Sequence, residues 1–252
     1  MEGAATEPPV WTERLQVRSY DVDATRRATV PSLCRYFLEA AWNHAEALGV
    51  GFTHLQGQGK FWVLARLVCA VEQYPVWGDA VILQTWPRGI KSAFALREFE
   101  FKTETGARLA AGSSAWLVLD SLSKRPQRLA KLLPEFVNLA GEATLGRDPA
   151  RLEDIPSSDG QFPITARYTD IDVNQHVNSS RYVAWILDAY PADFHRQHSL
   201  RLLEVNYLSE TVEGEELIVH TTQTDPTGYS HLLTKSGGAE VCRARLEWAQ
   251  KS

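Results

Sequence analysis

An internal repeat is the feature that most constrains how this chain can fold. The segment YDVDAT at residues 20–25 aligns with TDIDVN at residues 169–174, an offset of 149 positions. At the same offset, YFLEA at residues 36–40 aligns with WILDA at residues 185–189, and further along the segments WGDAVIL and EGEELIV resemble each other. Two copies of one structural unit are the simplest explanation.

Each copy is predicted to contain a strand, one helix and then several strands. The first helix should begin after Thr29 as N-cap, with Pro31 in its first turn, and end at Gly49. The second helix should be shorter, with Asn178 as N-cap and Pro191 just past its end. Runs rich in Val, Leu, Phe and Trp predict strands at 61–72, 79–86, 92–103 and 108–120, and again at 199–208, 215–224, 229–234 and 241–248.

A helix with an antiparallel sheet in each copy is an α+β architecture. We expect an N-terminal unit at residues 11–120 and a C-terminal unit at 163–249. The segment between them, 121–162, is rich in proline and shows little periodicity beyond a short helix near 129–139. We therefore expect it to be a linker that crosses the surface.

Composition excludes several classes of protein. A formal net charge of −5 argues against a general nucleic-acid binder. The three cysteines, Cys34, Cys69 and Cys242, are far apart and in no metal-binding spacing, so neither a disulfide framework nor a zinc site is expected. No stretch approaches the roughly 18 apolar residues of a membrane span. Residues 1–13 lack the features of an export signal, and we expect a cytoplasmic protein.

The order of elements, the helix length and the motif resemble the hotdog fold. The tandem arrangement resembles the acyl-acyl-carrier-protein thioesterases, whose second hotdog carries a D-x-D-x-N-x-H-V-N run at the helix start; here residues 170–178 read DIDVNQHVN. The similarity covers roughly residues 11–249 and includes WLVLD at 116–120, with KRP following at 124–126. The resemblance implies two fused hotdog units, each a long helix wrapped by an antiparallel sheet. It also implies hydrolysis of fatty acyl-acyl carrier protein (acyl-ACP) to free fatty acid, without metal or organic cofactor.

The chemistry is expected around the second motif. Hydrolysis needs an activated water and donors for the developing oxyanion. Asp172, Asn174 and His176 recur at every second position, so their side chains would share one face of an extended segment. The helix start at Asn178 would add free backbone N–H groups. By resemblance, the carboxylate of a Y-x-x-E segment is Glu210, which would activate water with Asn174 and His176 while Asp172 holds the loop or the imidazole.

The residue after this carboxylate departs from the family pattern. Many family members have a cysteine there, whereas this chain has Thr211, and its three cysteines lie far away in the sequence. A cysteine nucleophile is therefore unsupported at this point, and a carboxylate with water is preferred.

The first copy provides an internal control. At its matching positions, Thr25 replaces Asn174 and Arg27 replaces His176. At an offset of 136, set by the match of the WGD and EGE segments, a tyrosine at position 74 replaces the carboxylate. This asymmetry predicts that the second copy carries out the reaction while the first supplies walls for the acyl chain.

Other functions remain open at this stage. They are hydrolysis of acyl-CoA, a hotdog hydratase or dehydratase, and non-catalytic acyl binding. An acidic carrier protein would need a basic surface, for which the sequence offers Lys124, Arg125, Arg128 and Lys131, or Arg14, Arg18, Arg26 and Arg27. The sequence also leaves a homodimer open.

Overall fold

The computed structural model describes residues 9–137, 139, 141–154 and 158–251. The chain divides into two compact units, Met1–Pro149 (unit 1) and Ala150–Ser252 (unit 2). Within the described residues each unit has one long helix and five antiparallel strands, which confirms the α+β architecture. None of the described helices is long and apolar enough to cross a membrane. Residues 1–8, on which the export expectation partly rests, lie outside the described residues, as does Pro156 of the predicted linker.

Unit 1 contains the first strand, the long helix and four further strands. In chain order its elements are β1 (Trp11–Gln16), α1 (Val30–Ala47), α2 (Phe52–Gln56), β2 (Lys60–Val71), β3 (Ala80–Lys91), β4 (Phe94–Thr103), β5 (Arg108–Asp120) and α3 (Leu129–Leu132). The strands are ordered β1-β3-β4-β5-β2, and every described pair is antiparallel.

Unit 2 repeats this plan. Its elements are β6 (Gly160–Thr165), α4 (Ser179–Asp188), α5 (Ala192–Gln197), β7 (His198–Tyr207), β8 (Glu216–Gln223), β9 (Gly228–Lys235) and β10 (Glu240–Gln250). The order β6-β8-β9-β10-β7 matches that of unit 1 strand for strand. Even one β-bulge is repeated: it lies beside the pair Leu64 and Trp116 in unit 1 and beside Leu200 and Trp248 in unit 2. The sequence repeat is therefore a structural repeat.

Both long helices begin at the predicted caps. Thr29 Oγ1 accepts the N–H of Ser32 at 3.3 Å, and Asn178 Oδ1 accepts the N–H of Ser180 at 3.0 Å. These bonds satisfy amides that the first turn of a helix leaves without partners. The apolar face of α1 packs on the sheet, where the Phe37 ring stacks on the Phe99 ring of β4 with ring centroids 4.8 Å apart.

The predicted end of β3 at residue 86 is wrong, because the strand continues to Lys91. Pro87 and Gly89 form a bulge in the ladder with β4 instead of a turn. The ladder with β1 ends at Thr85, so Pro87 lies beyond that pairing and within a bulge of the ladder with β4, a position that tolerates the missing N–H.

Two short helices, α2 and α5, were not predicted. Pro191 ends α4 as expected, but it is also the N-cap residue of α5. Pro191 therefore follows one helix and directly precedes the next, where its missing N–H leaves no helical hydrogen bond unmade.

The segment after β5 does more than cross the surface. Leu129, Leu133 and Phe136 are buried in a cluster with Val118 and other apolar residues of unit 1. The expectation of a purely surface linker is wrong for these residues, because their apolar side chains complete the core beside the end of α1.

Candidate active site

The predicted motif forms a tight turn. The N–H of Asp172 donates to the His176 carbonyl at 2.8 Å, and the N–H of Gln175 donates to the Asp172 carbonyl at 2.9 Å. Gln175 has a left-handed φ of 64°. Asp172 Oδ1 accepts the N–H of Asn174 at 2.8 Å. The expectation of an extended segment is therefore wrong, because an Asp side chain bonding two residues ahead and a left-handed residue close a turn.

Asp170 anchors the start of this turn. Its carboxylate is 4% exposed and accepts Arg181 Nε at 2.6 Å and the N–H of Arg167 at 2.9 Å. Its carbonyl accepts the N–H of Asn178 at 2.8 Å. Asp170 thus connects the entering chain, the turn and the helix, which is a structural role.

Glu210 meets the turn from the segment that follows β7. The N–H of Val177 donates to the Thr211 carbonyl at 2.9 Å, which holds the two segments side by side. His176 Nε2 consequently lies 3.1 Å from Glu210 Oε2. The side chains are 30% and 44% exposed, so a substrate can reach both.

The other predicted residues surround this pair less directly. The Asn174 side chain makes no hydrogen bond with another described residue, and its amide remains available to a ligand. Asn178 uses its side chain as a cap, accepting both the N–H and the hydroxyl of Ser180. The structure thus joins His176 and Glu210 directly, connects Asp172 and Asn174 through the backbone of the turn, and places Asn178 at the helix start.

Sequence reasoning missed what the tyrosine of the Y-x-x-E segment does. Tyr207 Oη donates to the carbonyl of Ser179 at 3.1 Å, so it ties β7 to the first turn of α4. Its ring meets the buried ring of Tyr182 edge-on at 5.8 Å. Burial raises the pKa of Tyr182 above that of an exposed phenol, which is itself neutral near pH 7. The spacing of Tyr207 from Glu210 was the available signal.

The turn in unit 1 has the same backbone. The N–H of Asp23 donates to the Arg27 carbonyl at 2.9 Å, Arg26 has a φ of 66°, and Asp23 Oδ1 accepts the N–H of Thr25 at 2.8 Å. The carbonyl of Pro75 accepts the N–H of Ala28 at 2.8 Å, as Thr211 does for Val177 in unit 2. Because the backbones match, the units differ here in their side chains.

Unit 1 contains an apolar cavity of about 110 Å³ beside α1. Its walls are mostly aliphatic and aromatic, and Arg97 is the charged residue among the described residues that line it. The lining comprises Leu38, Ala41, Trp42, Ala45, Val50, Gly51, Phe52, Trp62, Pro87, Gly89, Ala95, Leu96, Arg97, Trp116 and Phe136. This composition suits an alkyl chain.

In unit 2 aromatic rings occupy the corresponding positions. Tyr190 stands where unit 1 has Ala41, at the offset of 149. Its ring lies 4.8 Å from Phe194, 5.4 Å from Tyr229 and 5.1 Å from Trp248, measured between ring centroids. Unit 1 therefore contains an apolar cavity, whereas unit 2 has aromatic rings at the matching positions and carries the pair His176 and Glu210.

The cysteines are unsuited to act as nucleophiles. All three are fully buried, and burial raises the pKa of the Cys242 thiol. A buried thiol with a raised pKa is a poor nucleophile. In the part of the chain that the structure describes, no group of three or more His, Cys, Asp or Glu residues could hold a metal ion.

Comparisons with known proteins give one consistent result. The chain is 29% identical to a chloroplastic palmitoyl-acyl carrier protein thioesterase of Arabidopsis thaliana, over 96% of this chain and 65% of that protein. It is 30% identical to a chloroplastic dodecanoyl-acyl-carrier-protein hydrolase of Cinnamomum camphora, over 96% and 68%. The chain therefore spans about two thirds of the length of these relatives.

Solved structures agree with the sequence relatives. An acyl-ACP thioesterase from Bacteroides thetaiotaomicron superposes with a TM-score of 0.87 at 25% identity, over 95% of this chain and 98% of that one. A 12:0-ACP thioesterase from Umbellularia californica superposes with a TM-score of 0.83 at 27% identity, over 96% and 98%. The model of the acyl-ACP thioesterase N-terminal domain matches residues 8–138, and that of the C-terminal domain matches residues 156–250. The chain therefore belongs to the acyl-ACP thioesterase family.

Proposed function

We propose that this chain hydrolyses the thioester of a fatty acyl-ACP, releasing the free fatty acid and the carrier thiol. The observation that carries the proposal is the contact between His176 and Glu210, on a turn whose backbone unit 1 copies without that pair. The relatives named above, called palmitoyl- and dodecanoyl-carrier-protein hydrolases, support the same substrate class.

The geometry suggests a role for each side chain. His176 Nε2 faces Glu210 Oε2 and orients this carboxylate, which leaves Oε1 to accept a proton from a bound water. The water oxygen attacks the thioester carbon, the C–S bond breaks, and the thiolate leaves with the proton taken from water. Asn174 can donate its free amide to the carbonyl oxygen as negative charge develops there.

Two further residues position the reacting groups and are not assigned a contact with the substrate. Asp172 shapes the turn, because Asp23 makes the same bond in the unit without the pair. Asn178 fixes the start of α4, whose first amides and positive dipole end add to the electrostatic environment.

We assign binding of the acyl chain to unit 1. Its cavity has an apolar lining, and the matching positions of unit 2 carry large rings such as Tyr190. Burying an alkyl chain contributes about 0.8 kcal/mol for each methylene, which is enough to select substrates by length.

The carrier is proposed to be acyl carrier protein. Exposed basic residues suited to an acidic partner follow β5 in unit 1, at Lys124, Arg125, Arg128 and Lys131. Acyl-CoA hydrolysis is the second candidate, because CoA presents the same thioester. A cytoplasmic location and a homodimer also remain proposals.

The test measures turnover of the same acyl group on carrier protein and on CoA. We expect hydrolysis with a higher kcat/KM on carrier protein, and about a hundredfold or greater loss of kcat in Glu210→Gln. The matched control is Glu213→Gln, which makes the same change at an exposed carboxylate three residues away. Absence of free acid over a broad acyl panel would overturn the proposal, as would hydration of an enoyl thioester without hydrolysis.

A further inference from the structure

The cavity of unit 1 contains a feature that plain alkyl binding does not explain. Arg97 lines it and is 8% exposed. Among the described residues no carboxylate forms an ion pair with this guanidinium; its Nη1 lies 3.1 Å from His44 Nδ1 and 3.2 Å from Thr85 Oγ1. Burying an uncompensated charge is expensive, so such a group requires an explanation.

Both partners of Arg97 are neutral near pH 7. Burial and the adjacent guanidinium lower the pKa of His44 to about 4, so its imidazole is uncharged. Burial lowers the pKa of Arg97 to about 10, which still leaves it protonated. The positive charge therefore has no counter-charge within the described part of the unit.

Several donors of Arg97 are unused. The described hydrogen bonds involve Nη1 alone, which leaves Nε and Nη2 without acceptors. Both atoms belong to a side chain that lines the cavity. A guanidinium edge with two free N–H directions matches the two oxygens of a carboxylate.

The charge is specific to unit 1. Arg97 pairs with Ser114 in the β4–β5 ladder, and Tyr229 pairs with Leu246 at the matching place in unit 2. Tyr229 lies within a cluster of rings there. Unit 1 therefore has both the cation and the open cavity. Unit 2 has a neutral residue at the matching position, among aromatic rings.

We propose that this cavity also binds a free fatty acid, with its carboxylate on Arg97 and its alkyl chain along the apolar walls. Because free fatty acid is the product under the proposed function, such binding would make unit 1 a site of product inhibition. A thioester has no free carboxylate and cannot neutralise Arg97, whereas the released acid can. An acyl thioester with a carboxylate at its far end presents the same group and is the alternative source.

Binding can be measured without turnover. Trp42, Trp62 and Trp116 line the cavity, so their fluorescence reports occupancy. The probes are dodecanoate, dodecanol and methyl dodecanoate, titrated into the wild-type protein. We expect dodecanoate to bind at least about tenfold more tightly than the two neutral probes, because hydrogen bonds to a charged group are stronger than neutral ones.

Substitutions test whether Arg97 causes the preference for the carboxylate. Arg97→Met should remove the preference for the carboxylate, and Arg97→Lys, which keeps the charge without the fork, should retain part of it. Arg14→Met, at an exposed arginine of β1, should behave as the wild type. Thermal unfolding checks that each variant is folded; the comparison of probes on the wild type needs no variant.

Equal binding of acid and alcohol by the wild type would overturn the proposal, as would an unchanged preference in folded Arg97→Met. If dodecanoate does not bind but an ω-carboxyacyl thioester is hydrolysed in an Arg97-dependent way, the carboxylate belongs to the substrate and product binding is refuted. Failure of hydrolysis alone would affect the proposed function and leave this binding result intact, so the two failures are distinguishable.

Discussion

Filling the cavity of unit 1 should keep or raise the stability of the protein while lowering its activity on long acyl chains. In unit 2 the position of Ala41 is occupied by a tyrosine whose hydroxyl contacts His231 Nε2 at 2.8 Å. Unit 1 has Phe99 at the site of that histidine and offers no such partner, so Ala41→Phe is the appropriate change. The new ring would occupy space that we assign to the acyl chain.

The cavity volume and the number of buried methylenes give the expected changes in unfolding free energy and in kcat/KM. Filling a cavity of about 110 Å³ at roughly 24 cal/mol per Å³ raises the free energy of unfolding by at most about 2.6 kcal/mol. At about 2–4 °C per kcal/mol, this raises Tm by up to roughly 5–10 °C, less any strain from imperfect fit. Losing the burial of three substrate methylenes costs about 2.4 kcal/mol, or roughly 60-fold in kcat/KM.

The assay compares Tm with kcat/KM for butyryl-, dodecanoyl- and palmitoyl-ACP. Ala41→Phe should keep or raise Tm, hydrolyse butyryl-ACP normally and lose activity on the longer chains. Ala24→Phe, at an exposed alanine of the unit 1 turn, is the control. A folded Ala41→Phe protein with wild-type kcat/KM on palmitoyl-ACP would refute the assignment of the acyl chain to this cavity.

Three further changes test other parts of the account. Gly112→Ala would place a Cβ 2.6 Å from the Phe37 ring and should lower the free energy of unfolding by about 1–3 kcal/mol in urea titrations. Burial lowers the pKa of His231 to about 3, below its unfolded value of about 6.5, so its contribution to stability is present above pH 6.5 and is lost as pH falls. His231→Phe should therefore reduce the loss of unfolding free energy between about pH 7 and pH 5 by about 2 kcal/mol; an unchanged slope would contradict the burial argument. Lys124→Glu with Arg128→Glu should raise KM for acyl-ACP several-fold, yet leave a small carrier-free thioester unaffected; equal effects on both would exclude this docking surface.

Much of the fold could be predicted because local signals and the repeat agree. Thr29 and Asn178 are capping residues directly before apolar helical stripes, and both cap in the structure. The offset of 149 predicted a shared unit, and the matching strand orders show it. The predicted strand end at residue 86 is wrong because the proline that follows signals a turn unless the partner strands are known.

The candidate site was only partly predictable. The residue types of the motif point to hydrolysis. Its shape depends on the left-handed Gln175 and on the hydrogen bond from the Asn174 N–H to Asp172, which the spacing of polar residues at every second position does not reveal. The contact of His176 with Glu210 joins segments more than thirty residues apart and depends on tertiary pairing. The role of Arg97 was invisible in the sequence, because a single arginine in a strand gives no sign of the cavity it faces.

The most direct test of the central claim compares matching residues of the two turns. His176→Ala and Arg27→Ala remove side chains from equivalent positions on backbones held by the same hydrogen bonds. With a common acyl-ACP substrate and both variants shown to be folded, we predict about a hundredfold or greater loss of kcat for His176→Ala and wild-type kcat for Arg27→Ala. Wild-type kcat in His176→Ala, or equal losses in both variants, would contradict the assignment of the reaction to unit 2.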